Sequence, residues 1–232
     1  MRICLLILGV LVIVAAATVP FAFPAIAAAG CPACYGFTDQ GGHLFVNSGA
    51  PSQDVDATKT TIEAARTRVL SFYGDLESDP RILLCKTEAC YQPLGGASRG
   101  IALLDQALIL SPRGANIVIA AHELAHIEFH RRVGAVATLA RSVPQWFDEG
   151  LAVVISNDSR YLGDGPDRCR SEPAGTLPTS RTAWIETAQS ANLYAQAACK
   201  VSRWLSGHGG ADGVRRLAAS IADGASFEDL AR

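Results

Sequence analysis

Apolar residues recur at helical spacing in some segments, as short runs in others, and almost without a break near the start. Ile62, Ala65, Val69 and Phe72 fall on one face of a helix over Asp54 to Tyr73, with Gly74 as its stop. Arg81-Ile82-Leu83-Leu84, within Pro80 to Cys85, reads as a short strand, and Gly100 to Leu110 as a second one with a polar step inside it. Asn116 to Arg132 follows as a helix, with Asn116 as its cap and Gly134 closing it. Val143 to Ser156 is another, carrying Pro144 in its first turn. Trp184 to Leu205 is a long helix ended by Gly207-His208-Gly209-Gly210, and Gly213–Ala222 and Phe227–Ala231 are shorter ones. Residues 30–52 and 157–181 carry Gly, Pro and polar residues without a period and read as irregular. One helix, a few strands and then mostly helices predict an α+β fold in a single domain, residues 30–232.

The start of the chain has a different character. Arg2 is a short positive segment, Ile3 to Val19 is largely apolar, and Ala27-Ala28-Ala29 offers small residues for cleavage. Residues 1–29 therefore read as a signal peptide or as an uncleaved membrane anchor over residues 3–29, with lipid modification of Cys31 as a third option. Each reading puts the rest of the chain outside the cytoplasm. Beyond residue 29 there are nineteen basic and twenty-two acidic residues, so nothing points to nucleic acid or to anionic lipid as a partner. Six cysteines remain there, an even number that suits disulfides in an exported chain. Local pairing gives Cys31–Cys34, Cys85–Cys90 and Cys169–Cys199, one of fifteen connectivities; a metal site at Cys31-Pro-Ala-Cys34 is the weaker alternative.

The chemistry concentrates in His122-Glu123-Leu124-Ala125-His126. Residues four apart leave one helix face about 5–6 Å apart at Cβ, so two imidazoles can meet one tetrahedral metal ion. Glu123, one step round, can take a proton from a metal-bound water without being a ligand. Three fixed positions in five also occur by chance, and paired histidines on a helix surface are common. Here Ile117, Ile119, Ala120, Leu124 and Ile127 make the helix apolar on much of its circumference, and buried polar groups need partners.

A third ligand must then come from elsewhere. His130 lies two turns from His122, about 12 Å along the axis, and reads as a solvated histidine at the helix end beside Arg131 and Arg132. Phe129 and Arg132 stand where the metzincin pattern needs Gly and His, which excludes that class. Glu149 is the stronger candidate. It lies in Pro144-Gln145-Trp146-Phe147-Asp148-Glu149-Gly150-Leu151-Ala152, an apolar helix far enough downstream to return antiparallel. Asp148 competes with it, but neighbours on a helix point about 100° apart, so one of the two faces the metal.

The paired segments His122-Glu123-Leu124-Ala125-His126 and Trp146-Phe147-Asp148-Glu149-Gly150-Leu151-Ala152 resemble the gluzincin, or peptidase MA-like, metallopeptidases over about residues 95–232. The resemblance implies a zincin-like fold: a small mixed sheet with an edge strand over the active-site helix, and a mostly helical C-terminal half. It implies zinc held by His122, His126 and Glu149, with Glu123 as general base and then acid. It places the strand Ile101–Leu110 at the edge that holds an extended peptide. It also makes Tyr194, at the start of its helix, the donor to the oxyanion. Peptide or protein would be the substrate. No Gly-Ala-Met-Glu-Asn-like stretch precedes the motif, so an aminopeptidase reading has no support. A catalytically silent zinc-stabilised binding domain of the envelope and a zinc hydrolase of non-peptide amides are the alternatives. A Cys169–Cys199 bridge would bring the loop 157–181 to the border of the cleft.

Overall fold

The computed structural model describes residues 22–48, 52–188 and 192–230; the apolar segment Ile3 to Val19 lies outside them. The elements are α1 (Pro24–Gly30), β1 (Phe37–Asp39), β2 (Leu44–Asn47), α2 (Ser52–Tyr73), β3 (Arg81–Leu84), α3 (Glu88–Tyr91), β4 (Gly100–Leu103) and β5 (Ala107–Leu110). They continue with α4 (Ile117–Val133), α5 (Ala135–Leu139), α6 (Gln145–Ser156), α7 (Arg181–Thr187), α8 (Leu193–His208), α9 (Ala211–Ala222) and α10 (Phe227–Leu230). The fold is mixed α+β.

Five strands form one sheet in the order β1-β2-β3-β5-β4. The inner pairs β2/β3 and β3/β5 are parallel, and the outer pairs β1/β2 and β4/β5 are antiparallel. Both faces of the inner strands are covered, which explains their continuous apolar runs. Ile82, Leu84, Leu108 and Leu110 point into the main core shared with α2, α4, α6, α8 and α9. Leu83, Cys85 and Ile109 point the other way, onto Tyr91, Leu94 and Ala28.

Three expectations needed correction. Residues 30–52 are not irregular throughout: a hairpin, β1 and β2, lies there, with Phe37, Leu44 and Val46 buried. Three and four residues give too short an alternation to read. Gly100 to Leu110 is not one strand but two. Asp105 and Gln106 form a turn, Leu104 takes a left-handed φ of 51°, and Gly100 pairs with Leu110. The hairpin makes β4 an edge strand that packs on α4. Trp184 to Leu205 is likewise two helices, α7 and α8, with Asn192 left-handed (φ 53°) ahead of the second. Periodicity alone cannot show a break that keeps the same face apolar.

The helices α4, α6 and α8 carry the chemistry, and their placement has local causes. The Asn116 side chain accepts from the Ile119 N–H at 3.0 Å and starts α4. Glu128, fully buried on α4, accepts from the backbone of Glu77 and Ser78 at 3.0 Å each and from Arg132 at 2.8 Å. A buried carboxylate this well satisfied pins the connection after α2 to the helix. Gly150 sits where α6 crosses α8: a Cβ there would lie 2.6 Å from the Ala197 carbonyl oxygen. The absence of a side chain lets the two backbones touch.

The cysteines pair as Cys31–Cys34, Cys85–Cys90 and Cys169–Cys199, matching the local pairing and not a Cys31-x-x-Cys34 metal site. Three disulfides fit an oxidising, extracytoplasmic compartment. Among the described residues, no helix is long and apolar enough to cross a membrane.

Candidate metal centre

His122 and His126, one turn apart on α4, meet Glu149 from α6 in a nearly regular triangle of donor atoms. The Nε2 atoms of the two imidazoles are 3.2 Å apart, and Glu149 Oε2 lies 3.3 Å from His122 Nε2 and 3.6 Å from His126 Nε2. The centre of such a triangle is about 2 Å from each corner, which suits a cation bound at ~2.0–2.2 Å by imidazole and carboxylate. Two imidazole nitrogens converge on one carboxylate oxygen, all largely buried, and the three could hold a metal ion between them. The residues present therefore fit a metal ion.

Asp148 decides how His126 is presented. The His126 Nδ1–H donates to Asp148 Oδ1 at 2.9 Å, which turns Nε2 toward the triangle. A carboxylate behind a ligating imidazole fixes its tautomer and raises its basicity. The other oxygen of Asp148 accepts from His130 Nε2 at 3.1 Å. His130 is thus not the solvated histidine of the sequence reading; it is part-buried and tied to α6. His126, His130 and Asp148 also come close enough to hold an ion, but each imidazole there uses its own carboxylate oxygen in an ordinary hydrogen bond. Neighbouring acids on α6 divide the work, Glu149 toward the triangle and Asp148 behind it. Gln145, one turn before Glu149, donates to Glu149 Oε1 at 3.0 Å and fixes the carboxylate plane.

Burial and charge oppose each other at these groups. Burial alone would raise the Glu149 carboxyl, but hydrogen bonds and charge from His122 and His126 outweigh it and hold it at about 2. Asp148 is held far below the carboxylate range because His126 and His130 outweigh the same burial. Burial would lower His126; Asp148 first and Glu149 next reverse that and raise it well above the usual histidine value. Glu123 differs: burial raises its carboxyl, and the two imidazoles offset only part of the rise. A raised carboxyl is a better proton acceptor.

Glu123 lies against β4. The position of a Cβ on Gly100 is 2.7 Å from Glu123 Cγ, 2.9 Å from Cδ and 3.1 Å from Oε1. Glycine at the head of the edge strand thus makes the room for this side chain, a role that spacing in the sequence did not signal. Asp148 was legible as an acid beside Glu149, though its job was not. Tyr194 opens α8 with its ring 6.4 Å from that of His122. It stacks on Tyr161 at 5.0 Å and meets Trp184 edge-on at 5.1 Å. Burial, and then the charge of Glu149, raise its phenol, so the hydroxyl stays protonated and able to donate. Tyr161 belongs to the loop 157–181, which the Cys169–Cys199 bridge fastens to α8, so the loop lies against Tyr194.

Compared with family models, with curated proteins and with solved structures, the chain matches none.

Proposed function

We propose that the chain is an extracytoplasmic zinc metallopeptidase of the gluzincin type, acting on peptide or protein. The observation that carries this reading is the triangle of His122 Nε2, His126 Nε2 and Glu149 Oε2, with a non-ligating Glu123 beside it. Two nitrogens and one carboxylate oxygen are a donor set of catalytic zinc, whose fourth position goes to water. When bound, zinc supplies Lewis acidity and makes a water nucleophilic near neutral pH.

The chain's own residues do the rest. Glu123, half-buried and raised, receives the proton of the attacking water and returns it to the leaving amine. Tyr194, a phenol that stays protonated, donates to the carbonyl oxygen as negative charge develops on it. Asp148 keeps His126 in the ligating tautomer. The edge strand β4 has an unpaired side to which an extended peptide can add as a further strand. A purely structural site would have no use for Glu123, which favours the enzyme over a silent binding domain.

The test pairs metal analysis with Glu123→Gln on a peptide library. One zinc per chain in both proteins, with cleavage by the wild type falling about 10²–10⁴-fold in the variant, is the expected result. Zinc without cleavage by either would favour the binding domain, and no zinc would sink both readings.

A further inference from the structure

A cavity of about 150 Å³ opens beside the metal centre. A water needs on the order of 10–15 Å³ of such space, so this cavity has room for a side-chain head group. Its polar lining comes from Arg141, Arg181, Gln145, Thr138 and Thr179. Two further residues of the lining, His130 and Asp148, are hydrogen-bonded to each other. Both oxygens of Asp148 already accept from imidazoles. Among the described residues, neither Arg141 nor Arg181 has a carboxylate within salt-bridge distance. The lining therefore carries two arginines against one carboxylate already taken.

The cavity adjoins the reacting centre at two points. Gln145 lines it and donates to the ligand Glu149. Arg181 lines it and is close enough for its charge to be felt at Glu123. We propose that this cavity is a carboxylate-binding subsite: it takes the carboxylate of a peptide, from an acidic side chain or from the C-terminus, and so directs the centre to acidic substrates. The guanidinium fork matches a carboxylate in two parallel hydrogen bonds, and Thr179 and Gln145 supply neutral polar contacts around it; the Thr138 hydroxyl already donates to the Gly134 carbonyl. The substrate class rests on the peptidase reading; the anion site itself does not.

The experiment separates the two. The full, metal-free protein, in which no carboxylate can be drawn to a cation, is titrated by NMR with three probes. N-acetyl-glutamyl amide offers a side-chain carboxylate, N-acetyl-alanine a terminal one, and N-acetyl-glutaminyl amide neither. At least one acid should bind about tenfold or more tightly than the neutral amide, and Arg141→Gln/Arg181→Gln should abolish the preference. The acid that binds identifies the source of the carboxylate. Both arginines are exposed, with no salt bridge among the described residues, and a melting curve checks that the variant folds. On the zinc-loaded wild type, the ratio of kcat/KM for acidic over neutral peptides should exceed one and fall about tenfold or more in the double variant. Equal binding of all three probes, or a preference that survives in the variant, would overturn the site; acid binding lost in the variant but cleavage indifferent to acidic residues would overturn the substrate class. Acid binding lost in the variant, with no peptide cleaved by the wild type, would leave the anion site standing and sink the peptidase reading.

Discussion

Replacing Gly100 with alanine adds one methyl group at the head of β4, and the geometry says where it goes. The new Cβ would stand 2.7 Å from Glu123 Cγ and 2.9 Å from Cδ. Carbon atoms in contact sit about 3.5–4.0 Å apart, so the Glu123 side chain must retreat by roughly 1 Å. The atoms met first are mid-chain, not the free end of a flexible group, and β4 is held to β5 by its pairing with Leu110. A displacement of that size at a reacting group costs about 10²-fold in rate, or about 2.7 kcal/mol of activation free energy. Zinc content should not change, because no atom of the donor triangle lies among the close contacts at Gly100. Melting should move little, since alanine also restricts the unfolded chain by about 0.4–1 kcal/mol. The assay is kcat/KM on a cleaved peptide, with bound zinc and melting temperature measured on the same preparations. Full activity in Gly100→Ala with zinc retained would refute the placement of Glu123 as the proton carrier beneath β4. Loss of zinc together with activity would refute the claim that β4 positions the base and not the metal.

Three further outcomes follow from the packing. Asp148→Asn removes the acceptor that orients His126 and should weaken zinc binding about 10–100-fold, as read by competition with a chromogenic chelator; unchanged affinity would remove Asp148 from the centre. Gly150→Ala forces a Cβ to within 2.6 Å of the Ala197 carbonyl oxygen, which should cost about 2–3 kcal/mol and lower the melting temperature by roughly 5–10 °C. An unshifted melting curve would mean that α6 and α8 are not in backbone contact. Replacing Cys169 and Cys199 together by serine frees the loop 157–181 from α8 and should cost about 3 kcal/mol in denaturant unfolding. Because Tyr161 stacks on Tyr194, turnover should fall as well; a variant equal to wild type in both respects would separate the loop from the site.

Features that depend on neighbours along the chain were legible before any folding was known. The four-residue step from His122 to His126 puts both imidazoles on one helix face wherever that helix packs. Asn116 and Gly134 bound α4, the first by capping it and the second by a positive φ of 87° that glycine accepts. The close sequence spacing of Cys31 with Cys34 and of Cys85 with Cys90 made those pairs the simplest. The tertiary structure decided what depends on which surfaces meet. Only the approach of α6 to α4 brings Glu149 to the triangle and Asp148 behind His126, while Gly150 lets the other side of α6 lie close against α8. His130 reads as a helix-end histidine until α6 supplies Asp148. The turn at Leu104 to Gln106 is a short polar step in an apolar run, and pairing across it, not periodicity, makes β4 the edge against which Glu123 rests. Helical spacing is a property of the backbone and can be counted. Contacts between distant segments come from burial, which rewards many packings almost equally until the whole chain selects one.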